Sequence, residues 1–255
     1  MVEALAIASG KGGTGKTTST LALGMALAER YDVTVIDADT GMANLLFHAG
    51  LADVDTTLHD VLAGSAPVEA AVYDRHGLEV VPCGVSLDGF READPTRLRS
   101  VVADLATDTD VILLDSAATL GSRAGVLPVV LADRIVVVLQ PTIPSLSDGL
   151  KVQEYAAAYD TGVAGLLFNR VRDDEAIDRI ARKAERYFEG PTLATVPESD
   201  AARAARRAGE PLLAHAPAAA AATAFEEAAA TLEVRDSTSE DVADRFRRAV
   251  IPDSP

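Results

Sequence analysis

A chain of 255 residues is long enough for one large α/β domain or two small ones, and a single domain is the expectation. With 48% hydrophobic and 24% charged residues it has ample material for a buried core, which excludes wholesale disorder. Its 23 basic and 39 acidic residues give a net charge of -16, which excludes a generally basic nucleic-acid-binding surface but not a local basic patch.

Short apolar runs recur at 4–8, 33–36, 78–81, 111–114, 135–139, 163–168 and 193–196, and each reads as a buried strand. Stretches with helical spacing lie between and after them, at 18–30, 95–106, 148–159, 175–188 and 216–232. Strand and helix in alternation predict an α/β fold, a mostly parallel sheet with helices on both faces, in which ligands bind beyond the carboxyl ends of the strands. This domain is expected over 1–233, followed at 234–255 by a polar linker and a short amphipathic segment, with a mobile end. No run approaches the ~20 apolar residues of a membrane span, and 2–9 has no basic leader, so a cytoplasmic protein, neither exported nor integral, is expected. The single cysteine, Cys83, cannot form an internal disulfide or alone supply a zinc or iron–sulfur site, and it reads as a packing residue in a reducing compartment. His48, His59, His76 and His215 lack metal-like spacing and read as surface or packing residues.

Directly after the first strand stands Gly10-Lys11-Gly12-Gly13-Thr14-Gly15-Lys16-Thr17, which fits G-x-x-x-x-G-K-[ST] in a strand–loop–helix context. The glycines let backbone N–H groups turn inward around phosphate oxygens, and the following helix adds its positive N-terminal dipole. Lys16 is expected to bridge the terminal phosphates and Thr17 to hold Mg²⁺ through its hydroxyl. The chain has only four lysines, Lys11, Lys16, Lys151 and Lys183, and two of them sit in this loop. Such lysine poverty beside an acidic excess suits a salt-rich cytosol, where a Debye length of about 3 Å at 1 M salt screens carboxylate repulsion. Lys11 is not required by the generic pattern. It is either a solvated loop charge or a group that reaches a nucleotide phosphate, in the second case one held by another subunit, as an arginine finger does in trans.

The run Lys11-Gly12-Gly13-Thr14-Gly15-Lys16-Thr17-Thr18 resembles the deviant Walker A motif of the MinD/ParA family of dimerising ATPases, in which the first lysine is the signature residue. The likeness extends to Val35-Ile36-Asp37-Ala38-Asp39-Thr40-Gly41-Met42-Ala43-Asn44-Leu45, to the helix at 57–64, and to the loop Pro82-Cys83-Gly84-Val85-Ser86-Leu87. Asn169-Arg170, Val196-Pro197-Glu198 and Gly209-Glu210-Pro211 are similar to the family's adenine-side motifs. The resemblance covers the chain to about 232 and is nearest to archaeal MinD-type proteins. It implies ATP and Mg²⁺ as cofactors and an ATP-dependent homodimer. The loop 10–18 with Asn169, Arg170, Pro197 and Glu198 would form the nucleotide site. Relatives that carry metal clusters or insert nickel use paired cysteines, which this chain lacks.

Asp37 and Asp39, one residue apart at the end of the second strand, are expected to point to opposite faces and take different parts. By resemblance Asp39 orients or deprotonates the attacking water and Asp37 belongs to the Mg²⁺ hydration shell; the structural alternative is that these carboxylates cap a helix beginning near Ala43. Asp115 ends an apolar strand in the manner of a Walker B carboxylate, which accepts hydrogen bonds from Mg²⁺-bound water. The family continues this motif as Asp-x-Pro-Ala-Gly, whereas Asp115-Ser116-Ala117-Ala118-Thr119 replaces proline by alanine and glycine by threonine. A β-branched residue resists conformations that glycine permits, so binding is expected to survive while hydrolysis, or its coupling to conformational change, is slowed or altered.

Pro141-Thr142-Ile143-Pro144-Ser145-Leu146-Ser147-Asp148 reads either as part of a dimer face or as a turn with Ser147 or Asp148 as N-cap. In the tail, Val242, Phe246, Ala249 and Val250 form one helical stripe beside Arg245, Arg247 and Arg248. That stripe suits docking on the body or on a partner, with a membrane anchor as the alternative. Arg203, Arg206 and Arg207 are the one obvious cluster for contacting DNA, or they are solvated face charges. The leading functional expectation is a MinD-type ATPase that positions a division, motility or polar assembly. The alternatives are a ParA-type partition protein gripping DNA non-specifically and a nucleotide-binding adaptor with little turnover.

Overall fold

The computed structural model describes residues 2–118, 121, 123–172 and 176–248. Eight strands form one sheet: β1 (Glu3–Ala8), β2 (Val33–Asp37), β3 (Tyr73–Arg75), β4 (Leu78–Val81), β5 (Val111–Asp115), β6 (Arg134–Leu139), β7 (Gly162–Val171) and β8 (Thr192–Pro197). Their order is β3-β4-β2-β5-β1-β6-β7-β8, and every neighbouring pair is parallel except β3 with β4. All seven strands expected from apolar runs are present. The eighth, β3, has no apolar run because it lies half-exposed to exposed at the sheet's edge. Its sequence signal is the turn: His76 (φ 54°) and Gly77 (φ 79°) both take the left-handed backbone that a two-residue hairpin requires.

The helices are α1 (Lys16–Leu27), α2 (Leu45–His48), α3 (Leu58–Ala63), α4 (Leu87–Glu92), α5 (Leu98–Leu105), α6 (Arg123–Leu131), α7 (Ile143–Ala157), α8 (Ile177–Phe188), α9 (Asp200–Ala208), α10 (Leu212–His215), α11 (Ala220–Thr231) and α12 (Ser239–Arg248). They cover both faces because successive side chains of a central strand point to opposite sides. On β1, Ala4, Ala6 and Ala8 face a core shared with Leu62 of α3, Val102 of α5, Leu127 of α6, Val152 of α7, Phe188 of α8 and Phe246 of α12. Leu5 and Ile7 face the other core, shared with Leu23 of α1, Leu45 of α2, Leu212 of α10 and Phe225 of α11. Helix α7 starts five residues before the expected boundary. Its N-cap is Thr142, whose Oγ1 accepts from Ser145 N (3.4 Å), and not Ser147 or Asp148; Pro144 is tolerated because first-turn N–H groups have no helical partner.

The amino ends of β1 and β6 hold a buried ion pair. Arg134 donates from Nε to Glu3 Oε1 (2.7 Å) and from Nη2 to Glu3 Oε2 (2.9 Å), a forked geometry that suits a guanidinium on a carboxylate. The chain after α11 is tied to the same place, since Arg134 Nη2 also donates to the Glu233 carbonyl (2.6 Å) and Arg235 N donates to Glu3 Oε2 (2.8 Å). Helix α12 then packs on α5 with Val242 and Phe246 buried, and Arg245 pairs with Asp133 (3.0 Å) and donates to the Leu131 and Ala132 carbonyls. The described part of the tail's apolar stripe is therefore docked on the body, while Ala249 and Val250 lie outside the described residues. Among the described residues, no helix is long and apolar enough to cross a membrane.

Candidate nucleotide site

The sheet brings the carboxyl ends of β1, β5 and β2 side by side, and the chemistry collects there. Between β1 and α1 the chain makes a tight loop in which two glycines are obligatory on different grounds. A Cβ on Gly10 would stand 2.2 Å from the backbone of Asp148 in α7, and Gly15 has φ of +100° with the Asn169 amide nitrogen 2.2 Å from where its Cβ would be. Ser9, just before the loop, is a hub. Its hydroxyl donates to the Lys11 carbonyl (2.9 Å) and accepts from Thr14 Oγ1 (3.0 Å) and from Lys16 Nζ (3.1 Å). No side chain caps the N-terminus of α1, so its first-turn N–H groups are open to an anion.

Lys16 is 8% exposed. Burial lowers its ammonium below the usual lysine range, opposed by the negative charges of Asp115 and Asp39. Lys11 is half-buried at the loop, and among the described residues its ammonium makes no hydrogen bond or ion pair. The two lysines thus differ: one is held inside the site, the other has no partner among the described residues.

Asp37 and Asp115 are register partners across the β2–β5 pair and are 1% and 2% exposed. Burial pushes the Asp37 carboxyl well up, with the charges of Asp115 and Asp39 adding to it. Its Oδ2 accepts from Leu45 N (3.3 Å) at the start of α2, so it does help cap a short helix, while Oδ1 is buried with no partner. Asp39 is raised by burial, opposed by hydrogen bonds from the Met42 and Gly41 backbone and by Lys16. The expectation that Asp37 and Asp39 point to opposite faces does not hold. Residues two apart on extended backbone share a face, and the charge of each of these carboxylates and of Asp115 bears on the same site. What separates their roles is depth: Asp37 closes the strand inside the protein and Asp39 lies beyond its end, nearer solvent.

Asp115 accepts from Thr20 Oγ1 (3.0 Å) and from the Thr17 hydroxyl, and burial pushes it up to about 6. The orphaned Asp37 Oδ1, the Asp115 carboxylate and the Thr17 hydroxyl make an all-oxygen donor set beside a phosphate loop. That set fits Mg²⁺, which takes one or two carboxylates and completes its shell with water and substrate phosphates. Consistently, no group of three or more His, Cys, Asp or Glu among the described residues could enclose a metal alone.

These charges make a pH prediction. The folded chain holds the Asp115 proton more tightly than the unfolded chain, whose carboxyl has a pKa near 3.9. The stabilisation this gives is fully present below about pH 4 and lost as pH rises through about 6. Asp115→Asn is therefore expected to make the nucleotide-free protein more stable at pH 7 by about 2 to 3 kcal/mol, with a smaller gain at pH 5. Denaturant unfolding at the two pH values checks it, and an unchanged or lower stability at pH 7 contradicts it.

A cavity of about 280 Å³ opens beside the loop, lined by Gly15, Thr18, Asn169, Arg170, Pro197 and Glu198, all among the residues the resemblance assigns to the nucleotide, and also by Arg203, Arg206, Leu212 and Phe225. The first group was legible as motifs. The second was not, because it comes from three separate helices that only the fold brings together. Asn169 also clamps the phosphate loop to β7, since its Nδ2 donates to the Thr14 carbonyl (2.8 Å) and its Oδ1 accepts from Arg170 N (2.8 Å). Glu198 is paired with Arg172 (2.8 Å) and Arg203 (3.1 Å), which hold its carboxyl below the usual range. Cys83 is buried, donates from Sγ to the Asp37 carbonyl (3.1 Å), and is held well above the usual thiol range by burial, as suits a packing residue and not a nucleophile. In the altered Walker B continuation, Ser116 Oγ donates to the Ile7 carbonyl (2.6 Å) and Ala118 lies near Gly12; Thr119 lies outside the described residues.

Comparison with known proteins agrees with this geometry. The model of the CobQ/CobB/MinD/ParA nucleotide binding domain matches residues 5–212. An uncharacterised ATP-binding protein of Methanocaldococcus jannaschii is 39% identical over 234 residues, covering 91% of this chain and 88% of the relative. Among solved structures, the septum site-determining protein MinD of Pyrococcus horikoshii in complex with Mg-ADP superposes with a TM-score of 0.81 at 33% identity, over 90% of this chain and 95% of that one. The cell division ATPase MinD of Pyrococcus furiosus gives 0.82 at 35% identity, over 91% and 98%. With the phosphate loop, the converging carboxylates and a sheet of matching topology, the chain belongs to the MinD/ParA nucleotide-binding family of P-loop ATPases and is similar within it to archaeal MinD.

Proposed function

We propose that this protein is a MinD-type ATPase that binds Mg·ATP, closes into an ATP-bridged homodimer and acts as a spatial switch positioning a division, motility or polar assembly. The observation that carries the reading is the pairing, on one phosphate loop above Asp37, Asp39 and Asp115, of a buried Lys16 with a Lys11 that has no partner among the described residues. The loop backbone and Lys16 hold the β- and γ-phosphates. Asn169, Arg170, Pro197 and Glu198 line the base pocket. Mg²⁺, when bound, would neutralise charge on the phosphates, with Thr17 as the residue that would ligate it and Asp37 and Asp115 as those that would hold its water. Asp39, at the solvent side, orients the attacking water and accepts its proton. Lys11 serves the nucleotide of the opposite subunit.

The partition reading is weaker on this geometry. Arg203 is already neutralised by Glu198 (3.1 Å) and Asp200, and Arg203 and Arg206 line the base pocket, which leaves Arg207 alone of the three for DNA phosphates. Asp39→Ala tests the switch. It is expected to leave Mg·ATP affinity within a few-fold of the parent and to accumulate the dimer, since water positioning is lost while the phosphate cradle stays. A monomer by light scattering in saturating ATP counts against it.

A further inference from the structure

Helices α7 and α8, which follow β6 and β7, leave between them a groove of about 590 Å³. Ile143, Leu146 and Leu150, spaced as one stripe of α7, form one wall, and Ile180 and Tyr187 of α8 form the other. The helices close on each other at Gly149, where a Cβ would stand 3.1 Å from the Phe188 ring, and the buried Ala184 keeps the floor low. The groove is open and its edges are apolar, with Ile143 84% and Tyr187 60% exposed.

What sets this groove apart is the charge along one lip. Arg179, Arg182, Lys183 and Arg186, at i, i+3, i+4 and i+7, share one stripe of α8, and Arg179 and Lys183 line the groove itself. All four are exposed, and among the described residues none of their side chains makes a hydrogen bond or an ion pair. Against them α8 carries only Asp178 and Glu185, and Glu185 already accepts from Thr192 N (3.1 Å), so this helix is net positive in a chain of net charge -16. No Asp or Glu lines the groove. Like charges held side by side repel one another, and an occupant that brings carboxylates to them relieves that repulsion.

We propose that this groove docks an amphipathic helix of a partner protein, with an apolar stripe that fills the groove and acidic side chains along the flank that meets α8. Two helices with a gap between them offer what a third helix packs into, and such a helix anchors itself through apolar residues at i, i+3, i+4 and i+7. Its acidic flank would meet Arg179 and Lys183 at the lip, with Arg182 and Arg186 further out. Pairs formed at the wall are partly buried and so less screened by salt than free surface charges. A bilayer surface would bridge the two lips without filling the space between them, and a single acyl chain would lie half in water in so open a groove. A DNA backbone has no use for the apolar floor. A second copy fits less well: α4 exposes Leu87 and Phe90 beside Asp88 and Glu92, but it has only six residues and pairs Asp88 with its own Arg91 (3.5 Å). The docking is independent of the switch reading, since none of the groove's side chains belongs to the nucleotide site.

The test uses two synthetic peptides of about 18 residues, or about five turns of helix. Both carry leucines at i, i+3, i+4 and i+7 with alanine elsewhere, and along one flank glutamate in one peptide and lysine in its twin. Amide NMR shifts of the nucleotide-free protein report both the site and the affinity. At about 0.15 M salt the glutamate peptide is expected to bind at least about tenfold more tightly than its lysine twin, with shifts clustering at 143–150 and 179–188. Net charge alone gives the opposite order, because a chain of net -16 attracts the lysine peptide. Arg179→Glu and Lys183→Glu together, both at exposed sites, are expected to invert the preference while Mg·ATP affinity by calorimetry stays unchanged. Ile143→Ser is expected to weaken both peptides at least about threefold and to leave their ratio unchanged. Equal affinity for the two peptides, or glutamate-peptide shifts outside the groove, overturns the proposal. So does binding of duplex DNA or of phosphatidylglycerol vesicles that the doubly reversed chain loses. A doubly reversed chain that sediments as a smaller species than the nucleotide-free parent also overturns it, since a second copy would then cover the groove.

Discussion

Lys16→Ala is expected to lower Mg·ATP affinity at least about 100-fold in calorimetry, which amounts to abolishing binding at millimolar nucleotide. Losing one partner of a buried, charge-assisted contact costs about 3 to 5 kcal/mol, because what remains is unpaired as well as unattracted. Lys16 is in that situation twice over. On the proposed reading it faces the phosphates, and without them its ammonium rests on Ser9 Oγ between the charges of Asp115 and Asp39. Removing it also leaves those two carboxylates without a cation from the phosphate loop, so they resist an incoming polyanion. An affinity within tenfold of the parent rules out the phosphate assignment of the loop.

Lys11→Ala is expected to do something different: leave ADP binding by the monomer nearly intact and prevent the ATP-dependent dimer. The reason is geometric. On the proposed reading Lys16 serves its own subunit from inside, whereas Lys11, which has no partner among the described residues, gains one only when two sites meet. Sedimentation with ATP and with ADP separates these outcomes, and a normal ATP dimer refutes the cross-subunit role. Mixing Lys11→Ala chains with Asp39→Ala chains sharpens the test. In a reciprocal site one half of the mixed dimer is competent, with Lys11 from the Asp39→Ala chain and Asp39 from the other. Partial hydrolysis in the mixture and in neither variant alone is the expected result.

What could be read from the sequence divides along physical lines. The strands of the sheet's interior were legible because burial on both faces leaves an uninterrupted apolar run; β3 was not, because an edge strand of three residues has only its turn to announce it. The phosphate loop was legible because backbone geometry demands glycine at fixed spacing, and Gly10 against α7 and Gly15 against Asn169 bear that out. Ser9 was not, although it holds Lys16, Thr14 and the Lys11 carbonyl together: a serine at a strand end has no pattern of its own. The faces of Asp37 and Asp39 were misjudged by misapplying strand alternation, and depth is what distinguishes them. The Thr142 cap was missed because Pro144 looks like a stop from the sequence and is a first-turn residue in the fold.

The docked C-terminal helix sets a threshold on anything that would capture it. Val242 and Phe246, the residues an amphipathic helix would offer to a lipid surface, are 1% and 0% exposed where they lie. Freeing them returns two apolar side chains to water at about 1.5 to 3 kcal/mol each, before counting the Arg245 contacts. At roughly 1.4 kcal/mol per decade, a helix with the intrinsic partitioning of a good surface binder would bind about a thousandfold more weakly while it remains latched. Capture of this segment would therefore be governed less by its own amphipathicity than by whatever loosens its seat on α5.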